Sequence, residues 1–279
     1  ISVKYEISIK KMLKIINKIQ FSADQNRMKN IADIENAVKE FNLEKNRNLD
    51  FLLQKRFSWM KKFILKNDKG VEVGAGGGFS KKFIKNKNFK ISDLAQFKHL
   101  DHKNVDAQKT NFEDNSYDFV IAVNMIHHVP YPTKFFDEMY RILKTGGKLI
   151  IQEANCSLIF QLVTLLMRHE GFDFTKNVWS KDKPLSDEHD IWSGNIAVPH
   201  LIFDDEEIFN KNLGTKFSFV HQKFYECFIF LNSGGVSSKT FYIPMNATFL
   251  KILDCIDNIV TKLFPNIFAM GRQIVLIKN

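Results

Sequence analysis

Between residues 71 and 152, short apolar runs rich in β-branched and aromatic residues alternate with amphipathic stretches, and this alternation constrains the fold more than any other feature of the chain. Residues 71–73, 89–93, 117–123 ("YDFVIAV") and 148–152 ("KLIIQ") read as strands. Residues 79–86 and 132–143 read as helices, and a Thr145-Gly-Gly turn leads into the last strand. Strands separated by helices cannot pair as hairpins. They lie parallel, joined by right-handed crossovers, with helices covering both faces of the sheet. The expected class is therefore α/β, a doubly wound and mostly parallel sheet.

The flanks elaborate that core. Ahead of it, Leu52, Leu53, Phe57, Met60 and Phe63 recur at helical spacing until the turn residues 67–70. Earlier still, Ile9, Met12, Leu13, Ile16 and Ile19 form a stripe among Lys10, Lys11, Lys14 and Lys18. Such a basic amphipathic helix packs on its own domain or rests on a membrane surface, and it lacks the uninterrupted apolar stretch of a secretory signal. After residue 153 come an apolar helix, a charged Trp-bearing stretch over 176–195, and the strand-like "AVPHLIF". "FSFVHQKFYECFIFL", "FLKILDCIDNIVTKLF" and "QIVLIKN" then read as a closing strand, helix and strand. The expected organisation is an N-terminal helical segment (1–50), a cofactor-binding core (51–153), an inserted cap or substrate region (154–215), and C-terminal strands and helix completing the sheet (216–279).

Composition excludes several classes. With 44% hydrophobic and 25% charged residues over 279 positions, the chain is long enough to bury a core and too apolar to be disordered. Its net charge of +9 comes from scattered lysines without an Arg-rich block, so a solvated surface is expected and a nucleic-acid partner is not prompted. Three well-separated cysteines with no Cys-x-x-Cys argue against a disulfide framework and for a reducing, cytoplasmic setting. The longest uncharged run, 154–167, is too short to cross a bilayer. Oligomeric state is not read from these features.

The strand at 71–73 runs into "VEVGAGGGFS". A glycine-rich turn between strand and helix brings backbone N–H groups close to a ligand because no side chain intervenes. A phosphate-binding P-loop needs Gly-Lys-Ser/Thr, whereas Gly78 is followed by Phe79-Ser80-Lys81. A dinucleotide loop, Gly-x-Gly-x-x-Gly from Gly74, needs glycine where Phe79 stands. The observed spacing is Glu72-x-Gly74-x-Gly76-x-Gly78. An acid ends the second strand at Asp93, where it can accept hydrogen bonds from ribose hydroxyls or simply cap a loop.

Acid-x-Gly-x-Gly-x-Gly resembles the first motif of the class I S-adenosylmethionine-dependent methyltransferases, and "NFEDNSYDFVIAVNMIHHV" and "TGGKLIIQE" resemble its later segments. The likeness spans residues 51–153 and is nearest to the type 11 subgroup that methylates small metabolites, quinones and sugars. Asn111-Phe112 departs from that family's usual Leu-Pro. The resemblance implies a Rossmann-like, seven-stranded sheet with a cap inserted after the fifth strand. It implies S-adenosylmethionine as cofactor and S-adenosylhomocysteine as product. Gly74, Ala75, Gly76 and Gly78 would pass the methionine end, with Glu72 beneath the loop ordering its amides. Asp93, with Leu94 beside it, would hold the ribose. Asp106 and the Ala107 N–H would hold the adenine, and Asn124 would meet the cofactor or orient the acceptor. Fainter likenesses in "SGNIAVPHLIF" and "LNSGGVSSK" suggest a glycan-like or other small acceptor.

His127 and His128 follow the strand at 117–123, the family's fourth, at the ligand-binding end of such a sheet. One of them is the candidate general base for an acceptor hydroxyl or amine; the other reading has them capping the next helix or packing beneath the cofactor. His189, among acidic residues, and His200, in an apolar strand, stand second as acceptor contacts, and Trp179 and Trp192 would line the lid. His99 and His102 share helical spacing but lack an evident third ligand, so no metal is expected. Two further readings stay open: a non-catalytic methyltransferase-fold binding protein, and an RNA methyltransferase prompted by the charge.

Overall fold

Six strands pair among the described residues: β1 (Gly70–Val73), β2 (Phe89–Ile91), β3 (Tyr117–Val123), β4 (Leu143–Ala154), β5 (Phe217–Tyr225) and β6 (Gly271–Lys278). The computed structural model describes residues 34–43, 46–168, 170–237 and 239–279, so the amphipathic stretch of residues 1–21 lies outside the described residues. Strand order is β2-β1-β3-β4-β6-β5. β1 pairs in parallel with β2 and β3, and β3 with β4. β6 inserts antiparallel between β4 and β5. All of β1, β3 and β4 therefore end on one edge, where β5 also ends and β6 begins.

Strand periodicity sorts the core into two layers. Val71, Val73, Val120, Ala122, Leu149 and Ile151 face one side, against Phe135, Phe136, Met139 and Ile142 of α4 (Pro132–Ile142). The same side receives α6 (Val198–Phe203) and α7 (Glu206–Leu213) through Ile202, Phe203, Phe209 and Leu213. Phe119, Ile121, Ile150 and Val275 face the other side. There they meet Phe41 of α1 (Ile34–Asn42), Leu52, Leu53 and Phe57 of α2 (Arg47–Ser58), Phe83 of α3 (Ser80–Phe83), Ile229 of α8 (Phe228–Leu231) and Leu250 of α9 (Ala247–Leu263). The doubly wound α/β class holds.

Two expectations change. Among the described residues the sheet has six strands, not seven, and beside β2 they make an isolated parallel bridge between Ser92 and His102. Asp93 turns the backbone there, its Oδ1 accepting the Ala95 N–H at 2.8 Å, and the segment "SDLAQFKHLDHKN" has no apolar run to bury. "AVPHLIF" is helical, not a strand. Pro199 in the first turn cannot give a ladder N–H but suits a helix start, and the buried set Val198, Pro199, Ile202 and Phe203 has helical spacing. His200 therefore sits on α6.

Of the segment between β4 and β5, α6 and α7 belong to the sheet's helical layer. What remains is α5 (Leu158–Met167), capped by the Ser157 hydroxyl, and the irregular stretch after it. Leu162 and Leu166 of α5 are exposed. No helix among the described residues is long and apolar enough to cross a membrane.

Candidate functional site

The glycine loop joins β1 to α3, and each glycine has its own reason. Gly74, Gly76 and Gly78 all have positive φ, a backbone region that costs an L side chain strain. A Cβ on Gly78 would come within 2.6 Å of Ile91 Cδ1, whereas one on Gly76 would meet nothing within 4 Å. Gly78 thus packs the loop onto β2, and Gly76 leaves a face open at the strand ends. The turn is held by its own hydrogen bonds, Ala75 N–H to the Ser92 carbonyl (3.0 Å) and Gly78 N–H to the Ala75 carbonyl (2.8 Å). His99 Nε2 lies 2.7 Å from the Gly76 carbonyl. His99 supports the loop from outside, a role its sequence context did not signal.

Asp93 Oδ2 accepts the Gly76 N–H at 2.7 Å, so the acid at the end of β2 is tied to the middle of the glycine loop. Each carboxylate oxygen of Asp93 accepts one backbone bond and retains a further lone pair. Leu94, beside it, is exposed. Glu72 lies beneath the loop, buried, and its partner is the Ser80 hydroxyl at the start of α3 and not the loop amides. Burial in the sheet, reinforced by Asp93, raises the Glu72 carboxyl to about 8 against the opposing Ser80 bond. It is a neutral acid at pH 7.

Asp106 forms the turn that carries buried Ala107; its Oδ1 accepts the Gln108 N–H at 2.8 Å. Asn124, at the tip of β3, has φ of 47°, and its side-chain oxygen accepts from Gln152 Nε2 at 3.1 Å. Met125 follows, its side chain 3.0 Å from where a Gly74 Cβ would lie. It closes the loop from the β3 side.

His127 and His128 occupy the short 3-10 turn Ile126–His128 beyond β3. His127 Nδ1 donates to Glu153 Oε1 at 2.5 Å, and Glu153, wholly buried near the end of β4, also accepts the Ile126 and Ala154 N–H groups. Burial disfavours a charge on either member, but the pair outweighs it: Glu153 and then Glu170 raise His127 to about 10, and His127 with the two amides lowers Glu153. His128 Nδ1 lies 3.0 Å from the Ser193 carbonyl, which can only accept, so Nδ1 carries the proton. Burial and the neighbouring His127 charge lower His128 to about 4, leaving it neutral. Glu170 faces both rings, 3.5 Å from His127 Nε2 and 3.7 Å from His128 Nε2.

Glu170 and Ser193 come from the stretch after α5, which is pinched at its base. Gly171 and Asn195 form a parallel bridge, and the Asn195 N–H donates to the His127 carbonyl at 2.9 Å. Asn195 also clasps Asp173 through two hydrogen bonds. His189, inside this loop, is exposed. His200 pairs with Asp204 at 2.5 Å, and Asp204 is also held by Arg272, which keeps its carboxyl down at about 2 despite burial. His200 thus serves a structural network at the edge of α6, anchored on buried Arg272. Arg272, fully buried, donates to the Pro199 carbonyl, Asp204 and Asn155 and ties α6 to the sheet. Glu170 carried no motif in the sequence, and Glu153 only closed the family-like run "TGGKLIIQE" with no role attached; the fold brings both to His127.

Residues 71–151 match a family model described as a methyltransferase domain. The chain is 46% identical over 46 residues to phosphoethanolamine N-methyltransferase 2 of Caenorhabditis elegans, covering 16% of this chain and 10% of that protein. It is 35% identical over 74 residues to the ubiquinone/menaquinone biosynthesis C-methyltransferase UbiE of Rickettsia felis, covering 26% and 30%. The chain thus spans less than a third of the length of either relative. A solved structure of a SAM-dependent methyltransferase from Archaeoglobus fulgidus aligns with a TM-score of 0.49 at 14% identity, over 82% of this chain and 93% of that one.

Proposed function

We propose, because residues 71–151 match a methyltransferase-domain model, that the protein binds S-adenosylmethionine at the glycine loop and transfers its methyl group to a hydroxyl or amine of a small or glycan-like acceptor. When bound, the cofactor supplies a sulfonium methyl, which an acceptor oxygen or nitrogen takes by in-line displacement. The observation that carries the reading is the Gly76–Asp93 link, which sets an open glycine face beside an acid with spare lone pairs. That pairing suits a ligand with a ribose and a flexible charged tail, and it offers no cradle for a polyphosphate.

In this reading Gly74, Ala75, Gly76 and Gly78 present backbone to the methionine end, with Glu72 beneath. Asp93 and Leu94 border the ribose, Asp106 and Ala107 the adenine, and Asn124 the space between cofactor and acceptor. The acceptor enters on the side of His127 and His128, and the stretch from Glu170 to Ser193 forms its outer wall. Of the two rings His128 is the neutral one, so the proton-accepting role falls to it, while His127 is held as a cation by Glu153. The names of the relatives, an ethanolamine-type N-methyltransferase and a quinone C-methyltransferase, support a small-molecule acceptor. The two buried free cysteines, Cys156 and Cys227, suit a reducing, cytoplasmic setting.

Calorimetric titration of the folded chain with S-adenosylmethionine tests the donor, and methyl transfer to a panel of amines, quinols and sugars tests the reaction. A folded chain that leaves the donor unbound overturns the reading. Binding without transfer to any of the panel gives a non-catalytic binder instead.

A further inference from the structure

The geometry points to a binding site for a divalent first-row transition cation, held by His127 Nε2, His128 Nε2 and the Glu170 carboxylate. These ligand atoms lie within 4.8 Å of one another. Glu170 is 3.5 and 3.7 Å from the two ring nitrogens. Both distances exceed the roughly 2.7–3.2 Å of an N–H···O hydrogen bond. They approach the edge of about 3.3 Å that a tetrahedron of bonds near 2.0–2.1 Å would have. The three groups stand around a common point.

The outer contacts carry the assignment further. A metal-bound histidine characteristically donates its other ring N–H to a carboxylate or a backbone carbonyl, which fixes the tautomer and aims the free nitrogen at the ion. Both rings do this: His127 Nδ1 donates to buried Glu153, and His128 Nδ1 donates to the Ser193 carbonyl, and the incoming cation displaces the proton that His127 otherwise carries on Nε2, which leaves to solvent. Glu153 is itself fixed by the Ile126 and Ala154 N–H groups, so the first ring cannot swing. The second is held through Ser193 at the base of the pinched loop, where Asn195 binds the His127 carbonyl. Three separate backbone segments, the 126–128 turn, the end of β4 and residues 193–195, thus converge to orient two nitrogens toward one carboxylate.

Two imidazoles and one carboxylate select zinc, iron, manganese or cobalt over calcium or magnesium, which prefer all-oxygen sets. Three protein ligands leave a coordination position open, as in catalytic rather than structural sites. The site lies just beyond β3 and β4. On the methyltransfer reading above, an acceptor hydroxyl entering on this side would bind the open position and become more acidic there. The cation would then take over the role given to the His128 ring alone. The sequence showed no metal motif because the histidines are adjacent and the carboxylate comes from beyond α5.

Chelator-stripped protein titrated with Co²⁺ alone tests the site. The expected result is one ion per chain by equilibrium dialysis, with the visible absorption of low-coordinate cobalt. Glu170→Gln and His128→Asn should each weaken binding at least tenfold with the circular dichroism spectrum retained, and His102→Asn, at an exposed position, should bind as the parent does. Glu170 is the variant of choice because it is partly exposed, whereas replacing His127 would strand buried Glu153. Absence of stoichiometric binding, or unchanged affinity in Glu170→Gln, overturns the proposal. Titration of the same stripped samples with S-adenosylmethionine separates the two readings: cobalt failure with donor binding intact removes only the cation, and the converse removes only the donor.

Discussion

Replacing Glu72 by glutamine should make the protein more stable at neutral pH, an unusual outcome for a wholly buried polar residue. Glu72 is 2% exposed, and its hydrogen-bond partner in the fold is a neutral hydroxyl, that of Ser80. Burial pushes its carboxyl up to about 8 in the fold, from an ordinary value of 4.5. Below the lower value both folded and unfolded chains hold the proton, and the group's contribution to stability is fully present. As pH rises the unfolded chain ionises first, so stability is lost at about 1.4 kcal/mol per pH unit until the folded carboxyl ionises near pH 8. By pH 7 the accumulated loss is about 3 kcal/mol. Glutamine keeps an acceptor for the Ser80 hydroxyl and does not titrate. Urea denaturation of parent and Glu72→Gln at pH 5, 6, 7 and 8 should show a stability gap in favour of the variant, opening by about 1.4 kcal/mol per unit and closing toward pH 5. A gap that does not change with pH, or a variant less stable at pH 7, would refute the reasoning.

Other substitutions probe separate parts of the molecule. Asp93→Ala removes the acceptor for the Gly76 and Ala95 N–H groups and should weaken S-adenosylmethionine by at least tenfold in calorimetry, since each bond to a charged group contributes about 1.5–3 kcal/mol. Gly78→Ala adds a clash with Ile91 to left-handed strain and should cost about 2–4 kcal/mol in urea denaturation, whereas Gly76→Ala, with open space at its Cβ, should cost only about 1. Glu226→Gln strips the buried Arg56 of its bidentate partner and should destabilise the fold by about 3–5 kcal/mol by the same measurement.

What was legible in the sequence is what depends on near neighbours. β1, β3 and the glycine loop announce themselves through local apolar runs and turn residues, and Asp93 through its position at a strand end. The seventh strand was expected from likeness alone, and the polar segment after Ser92 could not sustain it. α6 was misread because "AVPHLIF" is apolar throughout, and only the proline separates helix from strand there. The His127, Glu153 and Glu170 cluster was half visible. Two histidines at a strand tip attract notice, but a glutamate inside "KLIIQEA" and another after α5 become meaningful only once β4 and the pinched loop are laid beside β3.

The pinch at Gly171 and Asn195 has an evolutionary consequence. Loops tolerate change best where their ends are close and fixed by contacts that do not involve the loop's own contents. Here the neck is held by backbone pairing, by Asn195 and by the His127 carbonyl, while the residues between are largely exposed. Val178 packs in the core and Ser186 donates to the His128 carbonyl, so it is the exposed span from 181 to 184 that can be exchanged for one of different length and chemistry without disturbing the sheet, the glycine loop or the histidine pair. Such a neck lets acceptor preference drift independently of the machinery beneath it, and it marks where a grafted loop would be tolerated.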